Sequence, residues 1–413
     1  MSEQNVVIVG AGAITPFGNT LEEINTKMYA GESGIVSAPP EYDEVGVKSK
    51  VCGHIACDYA DLFDRQNLRN AGTHGGMAYY ASVEALKQAG LMSEGGDKDE
   101  LVTSDRAGVF IGSGGPPMQE IMEHADRMRS GKLSPRDDPY AVQRTMSNTA
   151  AANVATALKM KGGGVSLSSA CATALHNVGA AANAVQQGKL DLALAGGVDR
   201  ACPYTARMFD IPKALSRRRN ETPTAASRPF DADRDGFVIS GGSGVVALAS
   251  EAFAQERGLP VIGRLVGWAD TSDGDNMTVP SGEGAKRAMR LALRGLHLSQ
   301  VDLISAHATS TPIGDPAEAK AILDVFGAHR PLVNAAKSMV GHGLGAAGAW
   351  ALIMVLLQMK HGYVHESLNI ECVDEKCRKL NIARERIVTP VNLALINAFG
   401  FGGANAAVAV MAP

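Results

Sequence analysis

The sequence predicts an α/β protein whose strands are largely parallel and buried. Three observations carry that expectation. Short apolar, β-branched runs alternate with helical stretches along all 413 residues. The second half repeats the first in the order of its elements. Apolar residues make up 45 %, and 46 glycines accompany abundant alanine, a make-up suited to helices lying close on a sheet. The length suits two domains or one large duplicated one, read here as residues 1–257 and 258–413.

The chain opens with a β-branched run, Val6 to Val9, and the glycine loop GAGAITPFG from Gly10 to Gly18. Gly10, Gly12 and Gly18 do not complete the dinucleotide fingerprint, so a βα start is read without a nucleotide cofactor. Leu21 to Ala30 reads as helix, as does Met77 to Ala89, which Gly90 ends. Ala107 to Ile111 is a buried strand running into the loop Gly112 to Pro117. Glu120 to Asp138 is charged, with Arg127, Arg129, Lys132 and Arg136, and reads as a solvated excursion or a docking rim. An alanine-rich helix, Ser147 to Leu158, precedes a β-type run, Val165 to Leu167. SSACATALH (Ser168 to His176) then opens a helix from Ala172 to Gln187, with Gly188 as its stop. The strand Leu190 to Ala195 is closed by Gly196 and Gly197, a basic cluster spans Lys213 and Arg217 to Arg219, and Arg228 to Gly236 is a loop of turn formers before the strand Val245 to Ala249.

The second half runs strand Val261 to Val266, helix Gly284 to Gly295, strand Val301 to Ser305 and helix Pro316 to Phe326. Strand Pro331 to Ala335, helix Gly345 to Met359 and a strand pair, Val391 to Asn397 and Ala406 to Met411, complete it around the glycine loop Phe399 to Gly403.

Bulk properties exclude several classes. With 39 basic against 43 acidic residues the net charge is −4, which argues against nucleic acid as a partner. Cys52/Cys57 and Cys372/Cys377 are each C-x4-C without matching histidine pairs, so no metal site is expected. No signal-type segment opens the chain, and the apolar stretch Leu344 to Met359 is short and glycine-interrupted, so a cytoplasmic protein away from the membrane is expected.

Chemistry concentrates where strands end. Cys171 stands at a strand-to-helix turn, where the helix N-terminus favours a thiolate; the alternative is a small buried cysteine in an alanine-rich core. His307 follows a strand and precedes Thr309, Ser310 and Thr311, hydroxyls suited to an amide-bearing substrate arm. Asp315 and Glu318 fit an N-cap and its capping-box partner, an assignment that needs no catalytic role. His342 lies in a second strand-to-helix loop, five residues after Lys337, whose charge would keep the imidazole neutral and able to donate to an oxyanion. Either histidine alone could be structural. In open α/β sheets such loops converge on one side, and there the three residues read together as a catalytic set. Phe399 and Phe401 sit in a glycine turn, and the Phe401 N–H could face the cysteine.

These stretches resemble one family. SSACATALH, RPFDADRDGFV at Arg228, TSDGDNMTVPSGEGA at Thr271, HATSTPIGD at His307, KSMVGHGLGAAGA at Lys337 and NAFGFGGAN at Asn397 are similar, in order and spacing, to the β-ketoacyl-[acyl-carrier-protein] synthases, condensing enzymes of the thiolase superfamily. The wording is closer to synthase I than to synthase II. The resemblance implies a thiolase-like fold, duplicated βαβαβ halves in a five-layered α-β-α-β-α arrangement. It implies decarboxylative condensation of acyl- with malonyl-carrier protein, elongating a fatty acid. Cys171 becomes the acyl acceptor, His307 and His342 promote decarboxylation, and Lys337, Asp315 and Glu318 support them. Thr309 and Thr311 contact the phosphopantetheine arm, Phe401 and Phe399 form the gate, and the N–H groups of Cys171 and Phe401 form the oxyanion hole. No cofactor of its own is implied, because the arm arrives on the acyl carrier protein. A homodimer, or a heterodimer with a related synthase, is expected. The carrier is acidic, which makes Arg65, Arg69, Arg127, Arg129, Lys132 and Arg217 candidate docking residues.

The chain departs from the family pattern at Ala308, Ala174, Ala404 and the bulky Trp350, positions that bear on substrate range. A ketosynthase of a specialised polyene or polyketide pathway, with a partner chain-length subunit, is the alternative. A thiolase would carry a second cysteine in the C-terminal glycine loop, and residues 397–413 have none. A non-catalytic chain-length partner would lack Cys171.

Overall fold

The computed structural model describes residues 4–55, 65–131 and 138–413. Ten strands form one sheet: β1 (Val6–Ile14), β2 (Ala107–Ser113), β3 (Leu192–Asp199), β4 (Gly242–Ser250), β5 (Gly263–Ser272), β6 (Leu303–Ser305), β7 (Leu332–Asn334), β8 (Asn381–Ile382), β9 (Leu393–Gly400) and β10 (Ala404–Met411). Their spatial order is β8-β7-β6-β9-β10-β5-β1-β4-β3-β2. The first half runs β1-β4-β3-β2 outward from the centre and the second β5-β10-β9-β6-β7-β8, so the same sequence of pairings is used twice. The two meet where Val6, Val7 and Ile8 of β1 pair with Leu265, Arg264 and Gly263 of β5.

The sheet is mixed, which corrects the expectation of largely parallel strands. β2/β3, β9/β6, β6/β7 and β7/β8 are parallel; the five pairings from β3 through β4, β1, β5 and β10 to β9 are antiparallel. Two helix-linked crossover regions at the outer ends supply the parallel part, and the antiparallel centre comes from each half's returning strand.

Three apolar clusters separate the layers. One lies under the helix Arg65–Gln88, which kinks at Gly72, and the helix Thr149–Leu158. A second lies under the helices Glu283–Ala292 and Gly314–Phe326. The third fills the space between the two half-sheets around the helices Thr173–Gln186 and Ala347–His361. The result is the α-β-α-β-α stack. The helix Ala347–His361 is apolar on every face because it is buried on nearly every face, as its membrane-like hydropathy requires of a core helix. The central helices touch at Gly348, where a Cβ would stand 2.9 Å from Leu175 Cγ.

Glycines expected to end strands lie inside them. β1 continues from Val9 through Gly10 and Gly12, and β3 continues through Gly196 and Gly197. A Cβ on Gly10 would sit 2.0 Å from Ala85 O, and one on Gly12 2.2 Å from Ala81 O, so these glycines admit a helix backbone onto the sheet. Val165 to Leu167 is not a strand. Val165 makes one bridge to Phe110, and Leu167 is held on both backbone groups by the Asn177 side chain.

Candidate active site

The cysteine loop is tied tightly. Ala170 adopts φ +49, a left-handed conformation that turns the chain before Cys171. The Ser169 N–H donates to Thr173 Oγ1 (2.9 Å), Ala172 N–H to Ser169 O (3.1 Å), and His176 Nδ1 contacts Ser169 Oγ. Cys171 stands two residues ahead of the helix Thr173–Gln186 and is half-buried. The expectation of a resting thiolate needs correction. Burial pushes the Cys171 thiol up to about 12, and the Asp199 carboxylate pushes the same way. Lys337 and the N–H groups of Cys171 and Phe401, both directed at the sulfur, pull it down without reversing that.

His342 follows the single helical turn Lys337–Val340, and its backbone bridges Val238, the last residue of the RPFDADRDGFV stretch, and Ser240 just beyond it. The Leu344 N–H donates to His342 Nδ1 (3.2 Å), which assigns the ring proton to Nε2. The His307 ring stands edge-on to it, 5.4 Å between centroids, with Phe237 on the far side of His342 at 5.3 Å and Phe399 against His307 at 5.7 Å. Both imidazoles are held well below the ordinary histidine value, chiefly by burial and then by the Lys337 charge. Lys337 itself is 5 % exposed, and burial pulls its ammonium down to about 8 against the opposing pull of Glu318.

Asp315 and Glu318 do not cap a helix, which corrects their assignment. The helix Gly314–Phe326 has Ile313 at its N-cap, with no side-chain cap. Glu318 instead accepts from the N–H groups of His307 (2.9 Å) and Ala308 (2.7 Å) and from Asn397 Nδ2 (3.0 Å). Asp315 accepts from the N–H groups of Ser310 (3.1 Å), Thr311 (3.3 Å) and Phe230 (2.9 Å), and burial raises its carboxyl to about 6. Two buried carboxylates thus fix the loop that carries His307, Thr309 and Thr311.

A cavity of about 470 Å³ joins these groups. Cys171, His307, His342 and Phe399 line its inner end, Thr309 and Thr311 its wall, and Met277, Val279 and Ile313 its mouth. Thr309 and Thr311 share a hydrogen bond of 3.1 Å, and Thr311 Oγ1 also takes the Gly314 N–H. Phe399 belongs to β9, whereas Phe401 occupies the hairpin turn, half-exposed and 6.0 Å from Phe209. Gly400 lets that hairpin approach the nucleophile loop: a Cβ there would stand 2.5 Å from Ser169 O.

Of the docking candidates, Arg127, Arg129 and Arg217 do not line this cavity. Lys132 and the side chains of Arg65 and Arg69 fall outside the described residues. Arg127 pairs with Asp138 (4.0 Å) and Arg129 with Asp126 (2.9 Å), while Arg217 is held by the fully buried Asp210 (2.8 Å). Sequence reasoning passed over Asn397, Asp273 and Asp199. Asp273 accepts from Ser281 N–H, Gly284 N–H and Asn405 Nδ2 and so holds the mouth loop to β10. Each lies within or beside a quoted glycine-rich stretch, the one signal that could have flagged it.

Of the departures, Trp350 is accommodated. Its Nε1 donates to Ser243 O (2.9 Å), and its ring occupies space that a Cβ on Gly242, Gly244 or Gly343 would need. Ala308 and Ala174 are buried, the former with its N–H on Glu318.

Residues 3–254 match the family model described as beta-ketoacyl synthase, N-terminal domain, and residues 262–371 match the C-terminal domain. The chain is 39 % identical over 403 residues to 3-oxoacyl-[acyl-carrier-protein] synthase 1 of Escherichia coli (strain K12), covering 98 % of each chain. It is 34 % identical over 417 residues to synthase 2 of Vibrio cholerae, again covering 98 % of each. Among solved structures, a beta-ketoacyl synthase from Burkholderia phymatum STM815 superposes with a TM-score of 0.93 at 31 % identity, over 99 % of this chain and 100 % of that one. A type II polyketide ketosynthase in complex with its acyl-carrier protein superposes with a TM-score of 0.89 at 28 % identity, over 100 % of both chains.

Proposed function

The chain belongs to the β-ketoacyl synthase family, and from that membership we propose that it condenses acyl- with malonyl-[acyl-carrier-protein] to 3-oxoacyl-[acyl-carrier-protein] and CO2, lengthening a fatty-acid chain. The observation that carries the reading is the meeting of Cys171, His307 and His342 at one cavity end, with the His342 proton on Nε2. Cys171 Sγ attacks the acyl thioester. The carbonyl oxygen gathers charge within reach of the Cys171 and Phe401 N–H groups, and the proton leaving sulfur goes to the departing pantetheine thiol. The malonyl thioester then loses CO2, and its enolate oxygen takes hydrogen bonds from the two imidazoles. Neutral imidazoles suit this step because each donates an N–H to the enolate oxygen without being acid enough to protonate the enolate before it attacks. The enolate carbon attacks the acyl-cysteine carbonyl and returns the thiolate.

We read residues 1–257 as the half that delivers the nucleophile and 258–413 as the half that delivers the histidines and the Phe401 donor. The phosphopantetheine arm enters past Thr309 and Thr311, with Phe401 as the gate and Phe399 behind it; the enzyme supplies no cofactor. The partner is an acyl carrier protein in the cytoplasm. Arg65, Arg69, Arg127, Arg129, Lys132 and Arg217 are its docking candidates; among the described ones, Arg129, 71 % exposed, keeps its guanidinium most open. A homodimer is favoured by Val165 and Leu167, apolar and exposed beside the sheet-end strand β2.

Intact-mass analysis after incubation with a ladder of acyl-carrier proteins tests the reading: mass increments on Cys171 are expected and should vanish in Cys171→Ala. His342→Ala should still be acylated but lose malonyl decarboxylation. Acylation at another cysteine, or decarboxylation untouched in His342→Ala, would reject the assignment. Acceptance of only long or polar chains would favour the specialised pathway, toward which the polyketide ketosynthase neighbour points.

A further inference from the structure

Behind the nucleophile, four chain segments meet at one buried carboxylate. Asp199 ends β3 and is 3 % exposed. Its Oδ2 accepts the N–H groups of Gly345 (2.6 Å) and Gly114 (2.9 Å), and Oδ1 accepts that of Gly115 (3.4 Å). Among the described residues no lysine or arginine reaches it; His74 Nε2 stands 3.6 Å away, and the neighbouring Arg200 pairs with Glu120. The charge is therefore met mainly by backbone donors.

The surroundings are built to admit it. A Cβ on Gly345 would lie 2.3 Å from Gly114 N and 2.6 Å from Asp199 Oδ2. One on Gly114 would lie 2.8 Å from Ala170 O, and one on Gly197 2.1 Å from Gly345 O. Glycines at these three positions let the β2 loop, the end of β3, the nucleophile loop and the turn after His342 close around one side chain.

We propose that Asp199 is a positioning residue for His342, acting through the turn Gly343–Leu344–Gly345. Leu344 has φ +49, a conformation that a leucine holds only when its neighbours fix it. That conformation sets the angle between two successive N–H groups, that of Leu344, which donates to His342 Nδ1, and that of Gly345, which is gripped by Asp199. Releasing Gly345 frees the turn, and with it the bond that keeps the proton on His342 Nε2. Cys171 is placed by separate bonds, Ser169 N–H to Thr173 Oγ1 and Ala172 N–H to Ser169 O, so the grip on Gly345 does not place it; what Asp199 does to Cys171 is to raise its thiol through space.

The inference rests on the condensation reading and predicts a split between its two half-reactions. Asp199→Ala removes both acceptors and releases Gly345, whereas Asp199→Asn can turn its one oxygen to the Gly345 and Gly114 N–H groups and set its NH2 against that of Gly115. In Asp199→Ala malonyl decarboxylation should fall about 100-fold, the scale of a displaced catalytic group, while Asp199→Asn keeps most of it; acylation of Cys171, followed by intact mass, should not slow in either variant, because both remove a charge that raises its thiol. Equal losses in both half-reactions of Asp199→Ala, which a general structural role would produce, overturn the proposal, as do decarboxylation unchanged in Asp199→Ala and a loss in Asp199→Asn as large as in Asp199→Ala. If the wild-type enzyme shows neither half-reaction, the condensation reading itself fails and the split is not what was refuted.

Discussion

Glu318→Gln isolates what a buried carboxylate does for the histidine loop. The side chain keeps its shape and loses one acceptor. Glu318 Oε1 receives two donors, His307 N–H and Asn397 Nδ2, and Oε2 receives one, Ala308 N–H. The amide will therefore turn its oxygen to the two-donor side and set its NH2 against Ala308 N–H. One bond to a charged acceptor is lost and one buried N–H is left without a partner, so the cost is about 2 kcal/mol, within the range for a hydrogen bond to an ionised group. Glu318→Ala loses all three bonds and opens a void as well, and should cost roughly twice as much. Urea denaturation of the three proteins measures the stabilities, and malonyl decarboxylation in the same preparations measures the loop. Decarboxylation should fall in the same order as stability, because Ala308 is the next link to His307. A Gln variant within about 0.5 kcal/mol of wild type, the ordinary spread of surface substitutions, would show that the carboxylate does not hold the loop.

Other outcomes follow from the same geometry. Both histidines are held well below 6.5 and stay neutral in the working range, so any acid limb of decarboxylation should come from Asp315, raised to about 6, and disappear in Asp315→Asn; a limb near the ordinary histidine value, roughly 6.5, that persists in Asp315→Asn would mean that one of the imidazoles titrates. Lys337→Met removes the cation that lowers the Cys171 thiol, so iodoacetamide should label Cys171 more slowly than in wild type at pH 8; unchanged labelling would show that the lysine does not act on the sulfur. Gly343→Ala would bring a methyl 2.4 Å from the Trp350 ring and should cost about 1–3 kcal/mol. Trp350→Leu should restore part of that loss in the double variant, and simple additivity in thermal melts would refute the steric account.

The alternation of elements and the pairing of halves were legible in the sequence because apolar periodicity reports burial wherever it occurs. Strand direction was not legible, since buried antiparallel and parallel strands carry the same apolar runs, and β4 and β10 read no differently from β2. Glycines misled for a physical reason. At Gly10, Gly12, Gly196 and Gly197 they mark the approach of another backbone, and a one-dimensional reading cannot tell that from a turn. Cys171, His307 and His342 stood out because cysteine and histidine are rare residues just after runs that read as strands, although the run before Cys171, Val165 to Leu167, is not one. Asp315 and Glu318 matched a capping box in spacing, and only their partners in space, Phe230 and Asn397, show otherwise. Asp199 was invisible, a single acidic residue whose donors come from residues 114, 115 and 345.

The contact at Gly348 has a consequence for tuning the enzyme. The half-sheets share hydrogen bonds over three residue pairs, whereas β1 and β4 share eight. So narrow a seam fixes orientation poorly, and the distance between the halves is set instead by the two central helices pressed together at Leu175 and Gly348. One of these helices begins just after Cys171 and the other just after His342. The gap across which carbon–carbon bond formation occurs is thus gauged by the thickness of a glycine, and the spacing of nucleophile and imidazole can be reset, in steps of one methyl group, from a position that touches no substrate.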